Sequence, residues 1–141
     1  LEWMAIKADD GSLITPAGGG ATEGSVKMDF VSSKLRYSTT ITDSAPGEHS
    51  CQFGSIECDV SIGDNTKLLL KSLGLLPHNV DGLCKTHACY FNNAADERLF
   101  NCGGNYANTS LGLAAFNGNY TRSSTGATLG FRSAFDVLPP A

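Results

Sequence analysis

The sequence predicts a loop-rich α+β domain built from short antiparallel strands and one clear helix. Three observations predict it. Apolar and polar residues alternate through much of residues 25–62, the spacing of half-buried strands. Residues 64–73 instead gather leucines onto one helical face. Sixteen glycines, with frequent Ser, Thr and Asn, cut the chain into short segments. A length of 141 residues suits one domain with a modest core.

Residues 1–24 open with Leu1-Glu2-Trp3-Met4-Ala5-Ile6 and run into the flexible stretch Pro16-Ala17-Gly18-Gly19-Gly20. They are expected to form an attachment segment ahead of a domain at 25–141. Trp3 is expected in a first strand, as one buried aromatic; the alternative is a docking anchor to a preceding domain or a neighbouring subunit. Val26, Met28 and Phe30 alternate with polar partners, as do Leu35, Tyr37, Thr39 and Ile41. Phe53, Ile56, Val60 and Ile62 continue the apolar series, and Ser44-Ala45-Pro46-Gly47 marks a turn. In the helix, Asp64 is the expected N-cap and Leu68, Leu69, Leu70 and Leu73 the apolar face, with Lys67 and Lys71 outside. Gly74 stands where a left-handed C-terminal residue is wanted, and Pro77 forbids continuation. Tyr90-Phe91 and Arg98-Leu99-Phe100 flank a polar turn and are expected to form a hairpin. A strand-like run near Leu113 to Phe116 and a closing strand from Ala127 to Phe135 complete the pattern.

The formal net charge is −4 and the basic residues are scattered, which argues against nucleic acid as a partner. The longest apolar run, Leu73 to Leu76, is broken by Gly74 and is too short to insert in a membrane. The opening residues lack the pattern of a secretion signal. Five cysteines leave at least one without an intramolecular partner. Cys51 with Cys58 and Cys84 with Cys89 are close enough in sequence to pair under oxidising conditions. His49, His78 and His87 lie near them, but no zinc-ligand spacing is present, and buried thiols are the leading reading.

The last forty residues carry two anchors, Cys102-Gly103-Gly104-Asn105-Tyr106 and Thr121-Arg122-Ser123 with Gly130-Phe131-Arg132. Between them lies a stretch of small and polar residues that reads as surface. With Glu97-Arg98 upstream and Asn117-Gly118-Asn119-Tyr120 between, this frame resembles the C-terminal part of the C-type-lectin-like fold. The branch is the one shared by formylglycine-generating-enzyme-like domains and the variable proteins of diversity-generating retroelements, phage or prophage encoded. Tyr106 stands where that group usually has Trp, and Thr121 where it has Ala. The oxidases of the group carry two cysteines at positions corresponding to Asn108 and Leu113. Without thiolates there is neither a copper ligand nor a redox nucleophile, so the expectation is no enzyme. No Asp or Glu lies between Cys102 and Arg132, so no calcium site is expected on that face.

The resemblance implies a ligand-binding face at Asn105, Tyr106, Asn108, Ser110, Ala115, Asn117, Asn119 and Tyr120. Asn, Ser and Tyr are adaptable contact residues. The expected role is a non-catalytic receptor-binding domain of a bacteriophage virion protein, in a tail fibre or other appendage at the virion surface. It would recognise a host-cell surface protein or glycan, need no cofactor or metal, act as a homo-oligomer and attach to other virion proteins through its N-terminal segment. The alternative is a purely structural virion component, such as a capsid decoration or fibre-joining protein.

Overall fold

A computed structural model describes residues 6–7, 13–17, 25–79, 84–94, 98–103, 112 and 114–120. Within them the order is β1 (Ile6–Lys7), β2 (Leu13–Ala17), β3 (Ser25–Val31), β4 (Lys34–Ser38), β5 (Glu48–Gln52), β6 (Glu57–Cys58), α1 (Asp64–Ser72), β7 (Ala88–Asn92), β8 (Leu99–Cys102) and β9 (Phe116–Tyr120). The strands form two small sheets, ordered β1-β2-β3-β4-β6 and β5-β7-β9-β8. With α1, the single α-helix among the described residues, and a 3-10 turn at Phe53–Ser55 this is an α+β arrangement.

Both sheets and the helix share one core. Val26 and Met28 from β3, Leu35 and Tyr37 from β4, Leu70 from α1, Cys89 and Phe91 from β7, and Phe116 from β9 belong to one buried cluster. The alternation read along 25–38 is therefore real: the apolar residues of β3 and β4 point to the second sheet. Tyr37 is 1 % exposed and donates its hydroxyl to the Leu75 carbonyl at 3.0 Å. That bond satisfies the one polar atom of an otherwise apolar anchor. Burial pushes its phenol well above its ordinary pKa, with nearby cysteines adding to the shift.

The helix closes as its sequence requires. Gly74 has φ +72°; its N–H donates to Lys71 O at 3.0 Å and that of Leu75 to Leu70 O at 2.9 Å. This pair of bonds is the Schellman closure, with Leu70 and Leu75 buried together beside it. Two helical details differ from expectation. Gly63 is the N-cap and Asp64 the first helical residue, where its charge still favours the positive end of the helix. Only Leu70 of the expected apolar face is fully buried; Leu68 is 60 % and Leu73 44 % exposed. Thr66 takes a buried place instead, because a nine-residue helix on a small core buries a narrow stripe.

The expectation of antiparallel pairing holds for β1–β2, β3–β4, β5–β7 and β8–β9, whereas β2–β3, β4–β6 and β7–β9 are parallel. The expected hairpin between residues 90 and 100 is not formed. Its two strands exist, but β9 lies between them. β9 wins that place because Phe116 fills the core and Gly118 leaves room for the Phe100 ring: a Cβ at 118 would stand 2.8 Å from Phe100 Cε1. The strand expected near 113–116 begins at Phe116. Val60, read as core, is 97 % exposed in the Asp59–Ser61 turn, where the Ser61 N–H bonds Asp59 Oδ1 at 2.9 Å. Strands β1 and β2 join the same sheet as β3, so the described part of residues 1–24 continues that sheet. Trp3 and the closing strand expected at 127–135 lie outside the described residues.

Candidate functional site

Strand alternation gives the second sheet two unlike faces. Cys89, Phe91 and Phe116 point into the core, with exposures of 2 % or less. Their neighbours point the other way. Ser50 stands opposite Tyr90, Tyr90 beside Asn117, and Asn117 opposite Asn101. The row Ser50–Tyr90–Asn117–Asn101 thus crosses all four strands on the outer face, three inter-strand steps or roughly 14 Å. Every member is neutral and carries a hydrogen-bonding group. Ser50 is exposed and the other three are half-buried.

Local bonds hold the row in place. Asn117 Oδ1 accepts from the Asn119 N–H at 2.9 Å. Arg98 donates from Nη1 to the Asn119 carbonyl and from Nη2 to Asn92 Oδ1, both at 3.2 Å, so β7 and β9 are clamped where β8 begins. Gly103 has φ +90° and donates to the Ala115 carbonyl at 2.8 Å. Gly103, the first residue of the Gly-Gly anchor, thus sits in a backbone region that glycine occupies without strain.

At its β5 end the face meets a cleft of about 550 Å³, open to solvent and lined by Ser32, Ser33, Lys34, Ser50, Cys51, Gln52, Ser55, Thr86, Ala88 and Tyr90. Its rim is the β3–β4 turn. Val31 pairs with Lys34, leaving a two-residue loop, Ser32-Ser33, with φ 51° and 63°. Such loops favour Asn-Gly because both residues must be left-handed. Serine holds both positions here.

A second polar cluster lies inside the fold. Asp29 is fully buried. Its Oδ1 accepts from the N–H groups of Phe30, Thr42 and Asp43 at 3.0, 2.9 and 3.0 Å. Its Oδ2 accepts from Arg36 Nη2 at 2.8 Å and Thr42 Oγ1 at 2.7 Å. Burial alone would raise the Asp29 pKa; the Thr42 and Arg36 side chains and the two loop amides outweigh it and hold the carboxyl below its ordinary value. Asp43 is also held low, chiefly by Asn93, whose Nδ2 donates to it at 2.9 Å. His49 Nε2 sits 2.8 Å from Asp43 Oδ2, without hydrogen-bond geometry. Asn93 Oδ1 accepts from the Gly47 N–H at 2.8 Å, while the His49 ring stacks on Phe30 at 4.0 Å. Asp29 is saturated by donors and closed to solvent, so the cluster is scaffold. It pins the loop between β4 and β5 and thereby places β5 on the candidate face.

Of the eight residues expected to contact ligand, Asn105, Tyr106, Asn108 and Ser110 lie outside the described residues. Asn117 is on the outer face, and Asn119 and Tyr120 are half-buried beside it on β9. Ala115 is 1 % exposed, so its methyl group offers no contact surface; its backbone is tied to Gly112 and Gly103. The stretch between the anchors is thus not all surface, because Ala115 and Phe116 enter the core. Ser32, Ser33, Ser50, Gln52, Tyr90 and Asn101 were not singled out by the sequence. The Ser-Ser step between two alternating runs was the available signal, obscured because it lacks the usual glycine.

All five cysteines are free thiols, and neither of the local pairs that the sequence spacing would permit is bonded. The strand register sets Cys51 opposite Cys89 instead. Burial, reinforced by Cys51, pushes the Cys89 thiol up to about 12. Burial also pushes Cys58 up to about 11. Among the described residues no group of three or more His, Cys, Asp or Glu side chains is placed to hold a metal ion. No protein-family model matches the chain, and no curated protein matches it.

Proposed function

We propose that this is a non-catalytic ligand-binding domain of a bacteriophage virion protein, of C-type-lectin-like fold, that recognises a host-cell surface from a tail fibre or similar appendage. One observation carries the binding role: the neutral row Ser50–Tyr90–Asn117–Asn101, set across a rigid sheet. Hydroxyl, phenol and amide groups there suit many shallow contacts, and a strand scaffold fixes their spacing. The phage setting and the fold family rest on the Gly-Gly and Gly-Phe-Arg frame, with Arg98 acting as a clamp. Several copies per particle would raise the avidity of a weak single contact.

The test is binding of the fluorescently labelled chain, clustered on beads, to intact bacterial cells. Asn101→Arg, which places a bulky charge in the row, should reduce retention at least tenfold while the fold persists. Absence of retention on any cell surface, together with assembly of the chain into a regular shell lattice, would favour the structural virion component instead.

A further inference from the structure

We infer that the cleft between the Ser32-Ser33 turn and the outer edge of the second sheet is a binding subsite for a neutral saccharide. The inference deepens the binding role proposed above by naming a ligand class and a place for it. The volume of about 550 Å³ falls within the range of small-ligand sites. The lining chemistry selects the ligand. Ser32, Ser33, Ser50, Gln52, Thr86 and Tyr90 contribute four aliphatic hydroxyls, an amide and a phenol. Among the described residues none of these six side chains has a hydrogen-bond partner, so their donors and acceptors are free for a ligand. Hydroxyls both donate and accept, which matches the mixed edges of a sugar ring. The half-buried Tyr90 ring offers an apolar surface for the opposite face of that ring.

Charge excludes the alternatives. Among the described residues no carboxylate lines the cleft, so a divalent cation finds no hard side-chain anion among them. Lys34, the one cation among the described lining residues, is already 3.6 Å from Glu57 Oε2, so an anion meets a partly neutralised charge.

The rim supplies an independent argument. Ser32 and Ser33 both occupy the left-handed region, where glycine is favoured, and both are exposed. A turn chosen for stability alone would carry Asn-Gly. Backbone strain retained on the edge of a cleft is the pattern of a functional position. Ser33→Gly therefore relieves strain and removes a ligand hydroxyl at once, moving stability and binding in opposite directions. A folding defect cannot imitate that pair of signs.

The test uses the full chain on a printed array of neutral oligosaccharides and their sialylated, sulfated and uronic-acid counterparts. The best neutral compound is then titrated calorimetrically. Ser33→Gly is expected to raise the denaturation midpoint and weaken binding at least fivefold; Gln52→Ala is expected to weaken it similarly at an unchanged midpoint. Binding of anionic compounds only, no binding of any neutral compound, or wild-type affinity in both variants overturns the assignment. Cells are tested in parallel, so the two readings fail separately. Equal retention of wild type and both variants on cells removes the cleft and leaves the sheet face standing. Saccharide binding that both variants weaken, without retention on any cell, confirms the cleft and removes the host-recognition role.

Discussion

Asp29→Asn should destabilise the domain by about 2–3 kcal/mol, and the two oxygens of Asp29 predict how. Three backbone N–H groups, from Phe30, Thr42 and Asp43, end on Oδ1; an Asn side chain keeps that oxygen and those bonds. Arg36 Nη2 and Thr42 Oγ1 end on Oδ2, where Asn presents an NH₂ group. The Thr42 hydroxyl can turn and accept, but the guanidinium cannot. The loss is one charge-assisted hydrogen bond, about 1.5–3 kcal/mol, plus the cost of a stranded donor. Arg36 is 24 % exposed and keeps Asp59 at 3.7 Å, so water limits that cost below the 3–5 kcal/mol of a fully buried broken pair. Asp29→Ala strands the three amides as well and should exceed about 4 kcal/mol. Urea denaturation reads both through the midpoint at constant slope. Asp29→Asn with Arg36→Met should be less damaging than the sum of the single changes by about 1 kcal/mol or more. The pH dependence has a fixed sign. The folded carboxyl has a lowered pKa, so the native state binds fewer protons than the unfolded chain. Its contribution is complete above the unfolded value of roughly 3.9 and is lost as pH falls through the folded value. Asp29→Asn should flatten that acid limb. A loss under about 0.5 kcal/mol, strict additivity with Arg36→Met, or an unchanged acid limb would each refute this account.

Three further outcomes are expected. Gly118→Ala should cost about 1–3 kcal/mol, because the new Cβ meets Phe100 Cε1 at 2.8 Å and Met28 Sδ at 3.5 Å; Phe100→Leu in the same chain should recover part of the loss, measured by urea midpoints. Gly74→Ala should cost about 1 kcal/mol through backbone strain alone, since its Cβ would meet nothing within 4 Å; Gly74→Asn, which tolerates the left-handed region, should cost less by thermal denaturation. Cys89, buried and held protonated with its pKa at about 12, should be the slowest described thiol to react with iodoacetamide at pH 8, and its modification, mapped by mass spectrometry, should track unfolding.

Local rules were legible wherever one residue type has one use. Gly74, in the left-handed region, and Pro77 ended the helix as their residue types require. The alternation of Val26, Met28, Leu35 and Tyr37 named the first sheet's core face. Partner choice among strands was not legible. Residues 90 and 100 read as a hairpin because their sequence separation is short, yet β9 inserts between them. That insertion depends on a fit between Gly118 and Phe100, which no local pattern contains. Leu68 and Val60 failed for a related reason: apolar character permits burial, and only the finite size of the core decides which residues receive it.

The sequence by itself determined the class of the protein: short strands, one capped helix, a neutral Asn- and Ser-rich C-terminal stretch, and no run of charge. Each follows from short-range conformational preference or composition, which act before the chain folds. Tertiary structure alone decided what those residues face. It brought Ser50, Tyr90, Asn117 and Asn101, scattered over 68 positions in number from Ser50 to Asn117, into one row across four strands. It also set a serine turn from the first sheet on the rim of a cleft in the second. Cross-strand register is a long-range quantity, fixed by how the opposite face packs, and so the surface this protein presents is written by its core.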